Sequence, residues 1–186
     1  WQPDVRVDVV EIDPAVTALA REYFAFGQSD YPNIRVVHED ARVFMRGSVD
    51  HYDLVYLDVF DHLLTVPWTM VTVEALTAMS QRLSADGLFM ANVLSPLSGA
   101  GTGFLEQFRT TLGEVFPAVR IYRASPEVEL SVTQNLIVVA AMDERALPPG
   151  DWPESPVRAA GRVLTDAWAP VEYLQARVFL EGLGWN

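Results

Sequence analysis

Residues 5–24 read VRVDVVEIDPAVTALAREYF. Val5–Ile12 is a β-branched run that ends in acids, the pattern of a strand. Asp13-Pro14 then offers a side-chain cap and a first-turn proline, two marks of a helix start. Beyond them Val16, Leu19, Ala20, Tyr23 and Phe24 fall at i, i+3, i+4, i+7 and i+8, which is one face of a helix. The chain repeats this strand-to-helix step. Ile34–Val37 reads as a second strand and Ala41–Arg46 as a short helix. Tyr52–Leu57 reads as a third strand, closed by Asp58. A loop with Pro67 leads to a helix on which Val73, Leu76, Met79 and Leu83 share a face. Asp86-Gly87 is the predicted turn into a strand Leu88–Leu94, and Phe104, Phe108, Leu112 and Val115 mark a further helix. Val119–Tyr122 and Asn135–Ala141 complete the sheet as an antiparallel pair. Alternation of this kind predicts an α/β domain with a mainly parallel sheet and helices on both faces.

That domain is assigned residues 1–147. Pro148–Pro156 is rich in proline and sets off a tail, 148–186. The tail's apolar helical pattern (Val171, Leu174, Val178, Leu180) predicts a helix that packs back on the same domain.

Composition narrows the function. Half of the 186 residues are hydrophobic and 20% are charged, which excludes a disordered or fibrous chain. Acids outnumber bases by 25 to 13, for a net charge of −12, so nucleic acid is not an expected partner. All 13 bases are Arg; without Lys, neither Schiff-base nor P-loop lysine chemistry is open. There is no Cys, which removes disulfides, thiolate nucleophiles and cysteine metal sites. His38, His51 and His62 lack metal-ligand spacing, and no metal is expected. The longest apolar run is about eight residues against the roughly 20 of a membrane span. No signal peptide is visible, and the expected location is the cytoplasm. The first residue is Trp1 rather than Met, which predicts that the chain is a fragment.

In open α/β sheets, ligands bind outside the carboxyl ends of the strands. Glu11 ends the first visible strand, Asp40 follows the second, and Asp58 ends the third with Asp61 three residues on. The plain alternative for each is a helix cap or a turn residue. Asp13 is fully explained that way, because it precedes Pro14. Three consecutive strands ending in acids suggest more. In nucleoside-binding sheets, an acid after the second strand accepts hydrogen bonds from ribose hydroxyls, and its glycine loop lies about 20 residues earlier. Glu11 suits that role, so the glycine loop and the first strand are expected upstream of Trp1. Gly99-Ala100-Gly101-Thr102-Gly103 is read as a flexible loop rather than a ligand cradle, since no acid ends the strand that follows it.

Four phrases carry a resemblance: VDVVEIDP (Val7–Pro14), VVHEDAR (Val36–Arg42), YDLVYLDVFD (Tyr52–Asp61) and LSADGLFMANV (Leu83–Val93). TQNLIVVAA (Thr133–Ala141) and LTDAWAPVEYL (Leu164–Leu174) extend it. In this order they resemble the spermidine synthase-like (polyamine aminopropyltransferase) family. The resemblance implies a Rossmann-like, methyltransferase-type α/β fold, here without its first strand and glycine loop. It implies that Glu11 binds the ribose and that Asp40 and Ala41 bind the adenine. Asp58 would be the catalytic acid and Asp61 a binding residue for a small cationic amine. The co-substrate would be decarboxylated S-adenosylmethionine or S-adenosylmethionine, with no metal. The resemblance also allows a homodimer. The P-x-Y-P-x-G stretch of authentic spermidine synthases falls near Tyr122–Glu129, where this chain reads YRASPEVE.

An acidic site suits this chemistry. A free amine has a pKa of about 10, so it arrives protonated and needs a carboxylate to take its proton. Donor and acceptor are both cationic, and carboxylates favour bringing them together. Two alternatives stay open. One is an S-adenosylmethionine-dependent methyltransferase on the same fold. The other is a non-catalytic domain that binds a nucleoside or a partner, in which loss of the first strand exposes backbone groups on its neighbours. Tyr52, Tyr56, Phe60 and Trp68 are either core residues or walls of the site.

Overall fold

The computed structural model of the protein describes residues 4–24, 26, 32–60, 65–148 and 155–182. Two compact units divide the chain, Trp1–Ser48 and Val49–Asn186.

The first unit holds β1 (Val7–Val10), α1 (Pro14–Tyr23), β2 (Ile34–Val37) and α2 (Ala41–Gly47). The two strands pair in parallel, with Val7 opposite Ile34 and Val10 opposite Val37. Asp8 and Arg35, cross-strand neighbours, form a salt bridge at 2.5 Å. Helix α1 starts as its sequence predicts: the Asp13 carboxylate accepts from the Ala15 amide at 2.8 Å, and proline occupies the first turn. The apolar face of α1 is not buried. Val16, Leu19 and Tyr23 are exposed, and Thr17 is its buried residue. The period of a sequence specifies a helix without specifying what covers it.

In the second unit, β3 (Tyr52–Leu57), β4 (Leu83–Ser95), β5 (Ala118–Arg123) and β6 (Gln134–Ala141) form one sheet in the order β3-β4-β6-β5. β3 and β4 run in parallel, and β6 runs against both β4 and β5. The late antiparallel pair therefore appears as expected, with β6 inserted between β4 and β5. Helices α3 (Val73–Ser80), α4 (Gly103–Gly113) and α5 (Val171–Gly182) complete this unit. The core is apolar and dense. Phe89 stacks on Phe116 with centroids 5.7 Å apart, and Phe104 on Phe108 at 5.6 Å. Leu76, Leu105, Leu112 and Leu136 are fully buried.

Two details differ from the sequence reading. Helix α3 ends at Ser80, so Leu83 begins β4 instead of extending the helical face. Asp86-Gly87 is no turn between elements: β4 already runs from Leu83, and the register jumps from Tyr52↔Leu83 to Leu54↔Leu88. The extra residues form a bulge. Gly87 lies so close to β3 that an added Cβ would stand 2.9 Å from the Tyr52 carbonyl oxygen. Ser84 ties the bulge down by donating to the Asp53 carboxylate at 2.7 Å.

The tail bonds to α4 and β5. The Ser155 amide donates to the Ile121 carbonyl at 2.7 Å, and the Ala160 amide to that of Glu106 at 3.4 Å. The side chains of Val178 and Leu180, predicted on the apolar face of α5, lie outside the described residues. Among the described residues, no helix is long and apolar enough to cross a membrane.

Candidate active site

In the first unit, Glu11 and Asp40 stand at the carboxyl edge of the β1–β2 pair. Glu11 extends the ladder by donating its amide to the Val37 carbonyl at 3.0 Å. Its Oε1 accepts from the Asp13 amide at 2.9 Å. Asp40 caps α2: its Oδ1 accepts from the amides of Arg42 at 2.9 Å and Val43 at 3.0 Å. Ala41 is the first residue of that helix. Each of these acids thus does the local work of a cap or turn residue through one carboxylate oxygen. A carboxylate carries lone pairs on both oxygens, so capping does not exhaust it.

In the second unit, Asp58 follows β3 directly and is exposed. The pairing of Leu57 with Ala91 sets the next residues, Asp58 and Asn92, side by side at the carboxyl end of β3. Asn92 Nδ2 donates to Asp58 Oδ1 at 3.2 Å. The Tyr56 phenol lies on β3, two residues before the Asp58 carboxylate. Burial and then the neighbouring Asp58 carboxylate raise the Tyr56 phenol above its ordinary value. Asn92, on the adjacent strand, orients the Asp58 carboxylate.

Asn92 is the residue that sequence reasoning missed. Its Oδ1 is buried and has no hydrogen-bond partner among the described residues. Turning the amide over would place that oxygen against the Asp58 carboxylate, so the observed orientation is the favourable one. The unpaired acceptor costs about 1–3 kcal/mol unless a donor meets it. The available signal was a single polar side chain inside the apolar run LFMANVL (Leu88–Leu94).

Asp61, expected to bind the amine, lies outside the described residues, as does His62. His38 is taken up locally, its Nε2 lying 3.0 Å from the buried Thr17 hydroxyl. Of the aromatics proposed as site walls, Tyr56, Phe60 and Trp68 keep exposed surface. The glycine stretch Gly99–Gly103 is no open loop. It forms a short 3-10 turn, Ala100–Thr102, that runs into α4. Thr102 secures it by donating to Glu106 Oε1 at 2.8 Å, and Gly103 sits close enough to α5 for an added Cβ to touch Leu174 at 3.6 Å.

The profile of the family described as the spermine/spermidine synthase domain matches residues 4–133. A polyamine aminopropyltransferase of Vibrio vulnificus is 29% identical over 93% of this chain, and the match spans 63% of that protein. An eEF1A lysine and N-terminal methyltransferase homolog of Drosophila melanogaster is 28% identical over 89% of this chain but 24% of its own length. Among solved structures, a probable spermidine synthase from Corynebacterium glutamicum superimposes with a TM-score of 0.66 at 22% identity, covering 90% of this chain and 67% of that one. That structural likeness establishes a shared α/β fold. The chain thus spans under two-thirds of the Vibrio relative and about a quarter of the Drosophila one.

Proposed function

The chain belongs to the spermine/spermidine synthase family, and from that premise we propose that it carries the catalytic residues of a transferase moving an aminopropyl group from decarboxylated S-adenosylmethionine to a small amine. One observation supports this reading above the others. An exposed carboxylate at a strand's carboxyl end, Asp58, is oriented by the Asn92 amide of the adjacent strand. An oriented, exposed carboxylate suits an ammonium group, which brings N–H donors and positive charge.

In the proposed reaction, the ammonium passes one proton to Asp58 and its lone pair attacks the carbon beside the sulfonium. The new C–N bond forms as the C–S bond breaks, and the C–S electron pair goes to sulfur. The sulfonium becomes the neutral thioether of 5′-methylthioadenosine. Asp58 serves as general base, and Asn92 holds it in place. Glu11 is assigned the ribose hydroxyls and Asp40, with Ala41, the adenine; Asp61 is assigned the far end of the amine. Because donor and acceptor are both cations, a net charge of −12 favours their encounter.

The second reading is methyl transfer on the same fold, which the Drosophila relative favours. Product identity separates the two. The product of the complete gene is incubated with each donor and a panel of diamines and polyamines, and the nucleoside released is identified by mass spectrometry. Amine-dependent 5′-methylthioadenosine supports aminopropyl transfer. S-adenosylhomocysteine in its place moves the assignment to methyl transfer, and release of neither sinks both.

A further inference from the structure

Asn92 stands where its surroundings favour an apolar residue. Along β4, Phe89, Ala91 and Val93 are buried on one face, and Leu88, Met90, Asn92 and Leu94 share the other. On that second face Leu88 and Met90 pack against the apolar cluster of Val139, Ala141 and Leu147. So does Ile137, which lies opposite Asn92 on β6. Asparagine is depleted in strands, and burying its amide costs free energy unless both ends find partners. Here one end does. Nδ2 donates to Asp58 Oδ1 at 3.2 Å, while the buried Oδ1 of Asn92 has no partner among the described residues.

Gln134, buried on β6 of the same sheet, shows an amide whose work is structural. Its Oε1 accepts from Arg123 Nε at 3.5 Å. Its Nε2 donates to the carbonyls of Glu129 at 3.3 Å and Val132 at 3.4 Å. Both ends of that amide are met, and together they hold the connection between β5 and β6. Asn92 holds no such segment: among the described residues, its side chain bonds to Asp58 alone. An interior amide with one end unmet weakens a fold, and an apolar residue of similar shape would serve the strand better.

We propose that Asn92 is a positioning residue, kept in the strand at a cost in stability, that fixes Asp58 for its reaction with the amine. The proposal rests on the reading of Asp58 as the general base. The Asn92 amide takes one carboxylate oxygen, Oδ1, and leaves Oδ2 to receive the proton of the incoming ammonium. Asp58 is exposed, and without this bond its carboxylate samples several rotamers. Fixing the carboxylate beforehand removes that search from the barrier to reaction. Stability and turnover therefore respond to Asn92 with opposite signs.

The test uses Asn92→Leu, which keeps the branched shape, suits the apolar face and removes the donor. Thermal unfolding, donor affinity by calorimetry and steady-state kinetics with the amine are measured in the product of the complete gene. Asn92→Leu should melt at or above the wild-type temperature and bind the donor equally well, while its kcat falls about 10- to 100-fold. Added to Asp58→Asn, the same substitution should cost no further activity, because Asn92 acts through that carboxylate. A lower melting temperature, an undiminished kcat, or losses that multiply in the double variant overturn the proposal. If leucine is too bulky for the chain to fold, Asn92→Val takes its place under the same criteria. A wild-type protein that transfers nothing removes the proposed function. Melting and NMR of the Asn92 side-chain amide then decide whether Asn92 holds Asp58 at that cost. The amide signals should move in Asp58→Ala, and signals that stay in place overturn the proposal.

Discussion

Thr111→Val tests how the tail is held. Thr111 is fully buried on α4, where its hydroxyl donates to the Gln107 carbonyl at 2.7 Å and accepts from the Leu164 amide at 2.9 Å. Valine reproduces the shape and removes the acceptor. Leu164 is itself fully buried, so water has no route to the orphaned amide. Leaving such a donor unpaired costs about 1–3 kcal/mol. In a chain of 186 residues, each kcal/mol moves the midpoint of thermal unfolding by roughly 2–4 °C. The expected fall is therefore about 2–12 °C. Thr111→Ser keeps the hydroxyl and gives up one methyl, a loss of about 0.8 kcal/mol. Calorimetry of both variants, with amide exchange at Leu164, decides the matter. The reasoning fails if Thr111→Val melts with the wild type and Leu164 keeps its protection.

Further outcomes follow from single contacts. Gly87→Ala forces a methyl to within 2.9 Å of the Tyr52 carbonyl and 3.0 Å of the Ser84 backbone. Because both obstacles are backbone, the variant should lose about 1–3 kcal/mol in urea unfolding; a neutral result would show that the bulge yields. The Tyr56 phenol has a raised pKa, so its contribution to stability is complete below about pH 10 and is lost as pH climbs through the folded value. NMR of labelled tyrosine should show a late-titrating phenol that disappears in Tyr56→Phe. Asp58→Asn should lower that titration without normalising it, because burial is the larger cause. A Tyr56 titration indifferent to Asp58→Asn would contradict the influence of the Asp58 charge.

What the sequence reveals here is mostly local. Ile34–Val37 and Tyr52–Leu57 match their strands end for end, since each is a short β-branched or aromatic-rich run between polar breaks. The Asp13 cap was legible because donor and acceptor lie two residues apart. Asp40 was legible as an acid after a strand, and the capping bonds it makes are equally local. Contacts between distant residues were not. Asn92 meets Asp58 across 34 residues, and the register of β3 against β4 alone brings them together. The bonds of Thr72 with Asp166 and of Val66 with Gln175 span 94 and 109 residues, beyond the reach of any periodicity. Leu83 misled for the opposite reason: its spacing continues the α3 face, but the chain has left the helix at Ser80. Gly87 looked like a turn because glycine marks both turns and bulges, and the approach of β3 distinguishes them.

The central claim is that Asp58 takes the proton of an attacking amine. Its most direct test compares wild type and Asp58→Asn in the product of the complete gene, supplied with decarboxylated S-adenosylmethionine and the best amine. Release of 5′-methylthioadenosine is followed by mass spectrometry, and donor binding by calorimetry. The account predicts amine-dependent release that falls about 10²–10⁴-fold in Asp58→Asn, with donor affinity unchanged. Turnover in Asp58→Asn near the wild-type rate, or release that does not depend on amine, would contradict it.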